Sequence, residues 1–537
     1  MRGLPFVMDL KRLRDRVWLT ASVHYHALRH RPRSYRKALW AWVRRKRLRA
    51  RSRFAPLLGA APNAYKLWLL REQLPDRADK AEDNIVALVD LRAIGDPRKT
   101  MEALAREGIP AHGFHGLPGE GEALAAQLSN ADPNASLWLM PLAAGDLVAV
   151  GAGAAYRSAI STRAATLIYA DDDLIVADKR DNPYFKPEWN PELFRFQDYV
   201  SGACIVRVRG GDVASLMERP DWQTVLLREA AAAQEPVHVP KILHHRQIRP
   251  QPVYPTQIKV CRDALPPVSV VIPTRNRVDL LRVCLGGLAA TDYPAVETII
   301  VDNGSDDPET LALLDGLDGA SNTVLRMPGP FNYSRLNNEA VNVARGTLLC
   351  LLNNDVEMIS RDWLATLASQ AIRGDVGAAG ARLLYPDGRI QHAGVVIGVG
   401  GGAAHAHRFL QPEETGYFDR HRLPQFVSAV TAACLVVQRD RFLAVGGLDE
   451  VRFPVAFNDV DLCMRLNARG WRSLYEPRAT LIHHESVSRG FDRDPVGAAR
   501  LAGELEALKR RWGTDRVTDP YHHVELSPFS EQFVIRL

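Results

Sequence analysis

The chain has 537 residues, 46% apolar and 24% charged, with 38 Gly and 34 Pro. At roughly 150 residues per domain this leaves room for about two to four folded units, and it excludes a mostly disordered, fibrous or collagen-like chain. The net charge of +6 is uneven: residues 1–54 carry 17 Lys/Arg against 2 Asp, a net of +15 that leaves residues 55–537 at −9.

Residues 1–60 predict a basic helical arm. Trp18, Leu19, Leu39, Trp40 and Trp42 alternate with Arg12, Arg14, Arg36, Lys37 and Arg44. This pattern suits an anionic membrane surface; a merely solvated arm and a nucleic-acid arm are the weaker readings, and no nucleic acid is expected as partner. The opening MRGLPFVMDLKRLRDRVW lacks an uninterrupted apolar core, against a secretory signal. Residues 136–156 are long enough to span a bilayer but contain Asp146 and many Gly and Ala, and read better as a buried strand and helix. Six scattered cysteines, at 204, 261, 284, 350, 434 and 463, form no CxxC or Cys/His cluster, which fits a reducing compartment. The expected location is cytoplasmic, with peripheral contact at the inner face of the cell membrane.

Residues 61–245 alternate β-rich runs (NIVALVDL, SLWLM, ATLIYA) with helical ones such as PRKTMEALAREG, an α/β rhythm. Asp171, Asp172 and Asp173 follow a strand; with no companion cluster they read as a helix cap and solvated turn before they read as a metal site. A Pro-rich stretch at 246–266 predicts a linker, 267–495 a second domain, and 496–537 a C-terminal helix and tail.

The second half carries the chemistry. A strand at 268–272 ends at Pro273, VETIIVDNGS ends at Asp302 and Asn303, and GTLLCLLNNDVE ends at Asn353, Asn354 and Asp355. Three apolar strands, each delivering polar groups at its carboxyl end, predict an open α/β sheet with its ligand crevice on that side. There Asp302 can accept from a pyrimidine imide N–H and Asp355 can hold a divalent cation on a diphosphate, although a lone strand-end Asp equally caps a helix. In FNDVDLCMRL, Asp459 and Asp461 do not share a helix face, so one can enter the crevice while the other pairs with Arg465. A later strand ends at His483 and His484, imidazoles near a carboxylate-bound metal or phosphate, or plain packed residues.

In this order VSVVIPTRNR, IIVDNGSDD, FNYSRLNNEAVNVARG, LLNNDVE, HAGVVIGVGGGAAHAH, FNDVDLCMRL and IHHESVSRG resemble the family 2 glycosyltransferases of GT-A fold. The likeness covers 267–490 and points to the bacterial rhamnosyltransferase-like branch, which acts in O-antigen and cell-surface polysaccharide synthesis. It implies nucleotide recognition by Thr274, Arg275 and Asp302, with Pro273, Asn303, Asn338 and Asn354 completing the cofactor-binding set. It sets Asn353 and Asp355 at the family's metal-binding DxD, His483 at a metal or diphosphate contact, and Asp459 at the catalytic base. Mg²⁺ or Mn²⁺ is the implied cofactor; Asn353, in place of the first acid, offers an amide oxygen without charge. The first half resembles a damaged copy: only Asp146 remains at the strand end of LWLMPLAAGD, and no late Asp base or His partner stands before residue 245, which implies a scaffold or acceptor-binding module.

The expected fold is therefore α/β: tandem GT-A-like domains with a mostly parallel sheet in each. The expected activity is inverting, metal-dependent transfer from a UDP- or dTDP-sugar, rhamnose among the candidates, to a hydroxyl of a glycan or lipid-linked glycan. A noncatalytic sugar-nucleotide or glycan-binding protein is the alternative. A phosphoryl or nucleotidyl transferase is disfavoured, since no GxxxxGK[ST] loop and no second acidic centre are present. Gln391, His392, His405 and His407 are candidates for sugar choice.

Overall fold

Apolar runs of five to ten residues recur along the chain and build two mixed sheets in the computed structural model, which describes residues 4–72, 84–128, 134, 136–219, 221–257, 260–261, 264–317, 319, 321–484 and 494–537. The first sheet comprises β1 (Ile85–Asp90), β2 (Ala111–Phe114), β3 (Ser136–Ala143), β4 (Leu147–Val148), β5 (Leu167–Val176), β6 (Lys179–Tyr184), β7 (Cys204–Arg209) and β8 (Val237–Arg246). The second comprises β9 (Val268–Thr274), β10 (Val296–Asp302), β11 (Asn322–Arg326), β12 (Leu348–Leu352), β13 (Val356–Met358), β14 (Val376–Leu384) and β15 (Ile390–His392), and, after a separate hairpin of β16 (Val395–Ile397) and β17 (Ala403–His405), β18 (Gln425–Val427), β19 (Cys434–Gln438) and β20 (Arg472–His483).

The two sheets have one topology. The first runs β2-β1-β3-β7-β5-β8-β4 and the second β10-β9-β12-β19-β14-β20-β13, with β11 added at the edge. Strand directions match pair by pair: β1 is parallel to β2 and β3 as β9 is to β10 and β12, β7 and β19 run antiparallel to both their neighbours, and β8 and β20 lie parallel to β5 and β14. The expected mostly parallel sheet thus describes only the half that ends at the crevice: β7 and β19 in the middle, β4 and β6 in the first sheet and β13, β15 and β18 in the second pair antiparallel and make both sheets mixed. This shared order is the tandem GT-A-like arrangement.

Both faces of the second sheet are covered, so its central strands read as continuous apolar runs rather than alternations. Val268, Val270, Ile272, Leu348, Cys350 and Leu352 point into one core layer, while Val271, Leu349 and Leu351 point into the other. Residues 136–156 form β3, β4 and the start of a helix at Ala152–Thr162, as expected of a buried segment. Among the described residues no helix is long and apolar enough to cross a membrane.

A tail beyond the helix Pro495–Trp512 ties the two sheets together. Asp519 Oδ2 accepts from Ile397 N at 2.6 Å, Pro520 O accepts from Glu188 N at 2.8 Å, and His523 Nε2 lies 2.9 Å from Asp171 Oδ2.

The three consecutive acids depart from expectation. Asp171, Asp172 and Asp173 lie inside β5, each fully buried, rather than in a solvated turn. Distant cations hold them there: Lys186 Nζ lies 2.7 Å from Asp172, Arg249 Nε 2.5 Å from Asp172, and Arg180 Nε 2.6 Å from Asp173. A buried carboxylate persists only when paired and hydrogen-bonded, and those partners are invisible from the acids' own neighbourhood in sequence.

Candidate active site

The carboxyl ends of β9, β10 and β12 meet on one edge of the second sheet. Pro273 sits in β9 opposite Val301 of β10, and the buried Thr274 follows it. Thr274 Oγ1 accepts from Asn354 Nδ2 at 3.0 Å, so the tips of β9 and β12 are linked by a side-chain bond. Arg275 is exposed in the loop beyond. Asp302 Oδ1 accepts from Ser305 N at 2.9 Å and from Ser305 Oγ at 2.5 Å, while Arg326 Nη1 approaches Oδ2 at 3.0 Å. Each carboxylate oxygen has two lone pairs, so this bracing fixes its direction and leaves an acceptor position. Asn303 Nδ2 donates to Met327 O at 2.9 Å, and Asn338 both donates to Leu448 O and accepts from Leu448 N at 2.9 Å. These two amides therefore shape the surrounding loops.

At the β12 end the expected metal group comes together. Antiparallel pairing of β13 with β20 sets Val356 opposite His483, which brings His483 Nε2 to 3.1 Å from Asp355 Oδ1. Asn353 Nδ2 lies 3.2 Å from the same ring nitrogen. The other face of the ring is fixed by Gln391 on β15: His483 Nδ1 donates to Gln391 Oε1 at 2.7 Å, and Gln391 Nε2 donates to His483 O at 3.4 Å. The second bond fixes which way the amide faces, so Nδ1 carries the proton and Nε2 presents a lone pair.

Asp355 Oδ1 is buried without a hydrogen-bond donor, and it faces that lone pair. Two acceptors facing each other repel unless a cation lies against both, so the donor set fits a divalent ion.

Asp459 opens the helix Asn458–Asn467. Its Oδ2 accepts from Ala432 N at 3.1 Å and its Oδ1 from Val460 N at 2.8 Å. Burial raises its pKa against these lowering bonds. Asp461 is structural: it pairs with Arg465 Nε at 2.8 Å and accepts from Trp512 Nε1 at 2.9 Å. The loop before β19 joins Asp459 to the Asn353–Asp355–His483 group, because Ala432 N binds Asp459 while Ala433 O accepts from Asn353 N at 3.0 Å. Tyr333, whose hydroxyl donates to Ala432 O at 3.0 Å, braces the same loop and was not foreseen from sequence.

Of the four residues considered for sugar choice, Gln391 is the ring's anchor. His392 and His405 lie behind it with their Nδ1 atoms 2.7 Å apart, both with pKa lowered by burial, and His407 stacks on Phe533 at 4.6 Å. Residues 485–490 of the IHHESVSRG segment lie outside the described residues.

The first sheet has counterparts. Asp146 directly precedes β4 as Asp355 precedes β13, and Leu147 pairs with His245 as Val356 pairs with His483. A histidine therefore does stand at the partner position, at residue 245 itself. It turns away: His245 Nδ1 lies 2.7 Å from Asp173, while Asp146 accepts from Gln247 N at 2.8 Å and has Arg246 Nε at 3.8 Å. Burial raises the Asp146 pKa to about 6, Arg246 opposing it. The loop at Gly95 packs directly on the chain after β3, where a Cβ would lie 2.1 Å from Ala144 O.

Among the described residues, Asp171, His238 and His523 are the group whose three ligand atoms, all within 4.8 Å, could hold an ion by distance. However, His523 Nδ1 accepts from Glu525 N at 3.0 Å, so its neutral ring carries the proton on Nε2, facing Asp171. That tautomer turns an N–H rather than a lone pair toward Asp171, so the contact clasps the tail to the first sheet and does not offer a ligand.

Residues 269–414 match the profile of the glycosyl transferase family 2. The chain is 39% identical over 420 residues to an uncharacterized protein of Sinorhizobium fredii, covering 69% of this chain and 46% of that one. It is 34% identical over 406 residues to the O-antigen biosynthesis protein RfbC of Myxococcus xanthus, covering 67% and 31%. It is 44% identical over 70 residues to the N-acetylglucosaminyl-diphospho-decaprenol L-rhamnosyltransferase of Mycobacterium tuberculosis, covering 13% and 22%. This chain thus spans less than half the length of either of the first two relatives.

Proposed function

From the premise that this chain carries a glycosyltransferase family 2 domain, we propose that it moves a sugar from a nucleoside diphosphate donor to a hydroxyl of a growing cell-surface glycan, inverting the anomeric carbon. The reading rests above all on the convergence of Asp459 and Asn353 on the loop 431–433, with Asp355, two residues after Asn353, facing the His483 ring. Similarity to RfbC and to a rhamnosyltransferase supports rhamnose among the sugars and a glycan or lipid-linked glycan acceptor; a uridine or thymidine diphosphate donor would suit the acceptor that Asp302 offers.

The crevice residues divide the work. Asp302, held by Ser305 and Arg326, offers an acceptor to the imide N–H of the base. Asp355 and His483, with Asn353 beside them, would hold Mg²⁺ or Mn²⁺, which supplies positive charge for the leaving diphosphate. Gln391 keeps the His483 ring in the ligating tautomer. Asp459 takes the proton of the acceptor hydroxyl as that oxygen bonds to the anomeric carbon and the carbon–oxygen bond to the diphosphate breaks. A single displacement of this kind needs one base and no protein nucleophile.

The test is transfer and donor hydrolysis by the purified protein across UDP- and dTDP-sugars, with and without Mn²⁺. Metal-dependent turnover of one donor, lost in Asp459→Asn and in Asp355→Ala, supports the reading. Tight donor binding with no turnover, even with lipid-linked and polysaccharide acceptors present, sinks it in favour of a sugar-nucleotide-binding protein.

A further inference from the structure

The N-terminal helices α1 (Leu4–His30), α2 (Pro32–Val43) and α3 (Arg47–Leu58) carry large apolar side chains on outward faces as well as inward ones. On α2 the buried positions are Ala38 and Ala41, while Leu39, Trp40, Trp42 and Val43 face outward. On α1 Leu19, Val23 and Ala27 face the bundle, and Leu10, Leu13, Val17 and Trp18 form a second outward apolar stripe. Trp18, Trp40 and Trp42 are 63%, 58% and 64% exposed. A soluble amphipathic helix turns its apolar stripe to the core and its polar face to water; here α2 exposes its large apolar groups and α1 carries a second, outward stripe, and an exposed patch of this kind marks an interaction surface.

We propose that α1–α3 form a preformed platform that docks on the surface of an anionic lipid bilayer, with the tryptophans in the interface and the arginines on headgroup phosphates. Charge argues for this occupant: residues 1–54 carry net +15 while the rest of the chain carries −9, and clustered Lys/Arg next to apolar side chains bind anionic leaflets. Exposed Arg14, Arg36 and Arg44 are interleaved with the apolar stripes, and the Arg44 guanidinium lies 4.4 Å from the Trp40 ring centroid, so cation and aromatic group would meet the headgroup layer together. A second copy is disfavoured because two such arms repel each other. A nucleic acid would leave the Leu and Val of both stripes in water. The platform lies apart from the crevice residues of the second sheet, so docking stands or falls independently of sugar transfer.

The experiment is co-sedimentation of the full chain with vesicles of phosphatidylcholine alone and of phosphatidylcholine mixed with phosphatidylglycerol. Wild type is expected to sediment with the anionic vesicles and to be partly released by salt. Arg36→Glu with Arg44→Glu is expected to lower partitioning by about tenfold or more, and Trp40→Ala with Trp42→Ala to lower it at every salt concentration. Both variants should keep the wild-type melting temperature, since the altered side chains are exposed. Absence of wild-type binding to anionic vesicles overturns the proposal. So does a wild-type dimer, seen by light scattering, that the tryptophan variant dissociates, or binding of single-stranded RNA in place of vesicles.

Discussion

The first and second sheets share one strand order and one pattern of directions, but their crevice ends differ in kind. In the second, Asp355 and His483 face each other with a buried oxygen lacking a donor. In the first, Asp146 is covered by Gln247 and Arg246, and His245 has turned to Asp173. Where the second sheet pairs Leu384 with Ile482, the first pairs Asp172 with His244 and buries Lys186 beside them. Topology is held by the apolar layers, which both sheets keep; what differs is that the acids of the first sheet lie against fixed cations, Asp172 2.7 Å from Lys186 Nζ and Asp146 3.8 Å from Arg246 Nε. On the proposed function it serves as a charged scaffold on the same frame.

Substitutions can break this contrast. Asp459→Asn is expected to reduce transfer by about a thousandfold or more, within the usual range for losing a general base, while Asp146→Asn leaves turnover within about twofold; kinetics of both variants on one donor checks this. A large loss at Asp146 would mean that the first sheet also takes part in the chemistry.

Lys186→Met leaves Asp172 buried with fewer counter-charges. Breaking such a pair costs about 3–5 kcal/mol, so the denaturation midpoint should fall markedly while turnover per folded molecule stays as it was.

Gln391→Leu is the subtler test. Without the amide, His483 is free to put its proton on Nε2, and loss of such a supporting bond typically costs about 10–100-fold in metal affinity or activity. The expected signature is a higher Mn²⁺ requirement with an unchanged melting temperature, and Gln391→Glu should recover part of the loss.

The smallest effects are in pH. Asp459 acts as a base only when ionised, and burial raises its pKa, so activity should fall with decreasing pH along a limb set above the ordinary aspartate range. Asp146, at about 6 in the fold against 3.8 when unfolded, binds its proton more tightly in the native state. Wild type should therefore lose stability relative to Asp146→Asn as pH rises from about 4 to 6, which melting curves at several pH values will read.

Much of the second sheet was legible because its polar residues fall at the ends of continuous apolar strands, where an α/β sheet places its ligands. Asp302, Asn353, Asp355 and His483 were set at strand ends this way, the structure brings the last three together, and the pairing of Asp461 with Arg465 followed from helix spacing. The Gln391 contact was not legible, because 92 residues separate it from His483 and only the seating of β15 beside β14 brings them together. The same holds for the three buried acids of β5. Their run looks like a turn until Lys186, Arg249 and the tail histidine are folded onto it. Local sequence marks where a strand ends but does not say which distant charge closes over that end.

The most direct test of a catalytic second sheet and a scaffold first sheet is metal-dependent turnover of a UDP- or dTDP-sugar by wild type, Asp355→Ala and Asp146→Ala, all three shown to melt alike. Turnover in wild type and Asp146→Ala, with none in Asp355→Ala, is the predicted result. Turnover that survives in Asp355→Ala and disappears in Asp146→Ala would contradict the account.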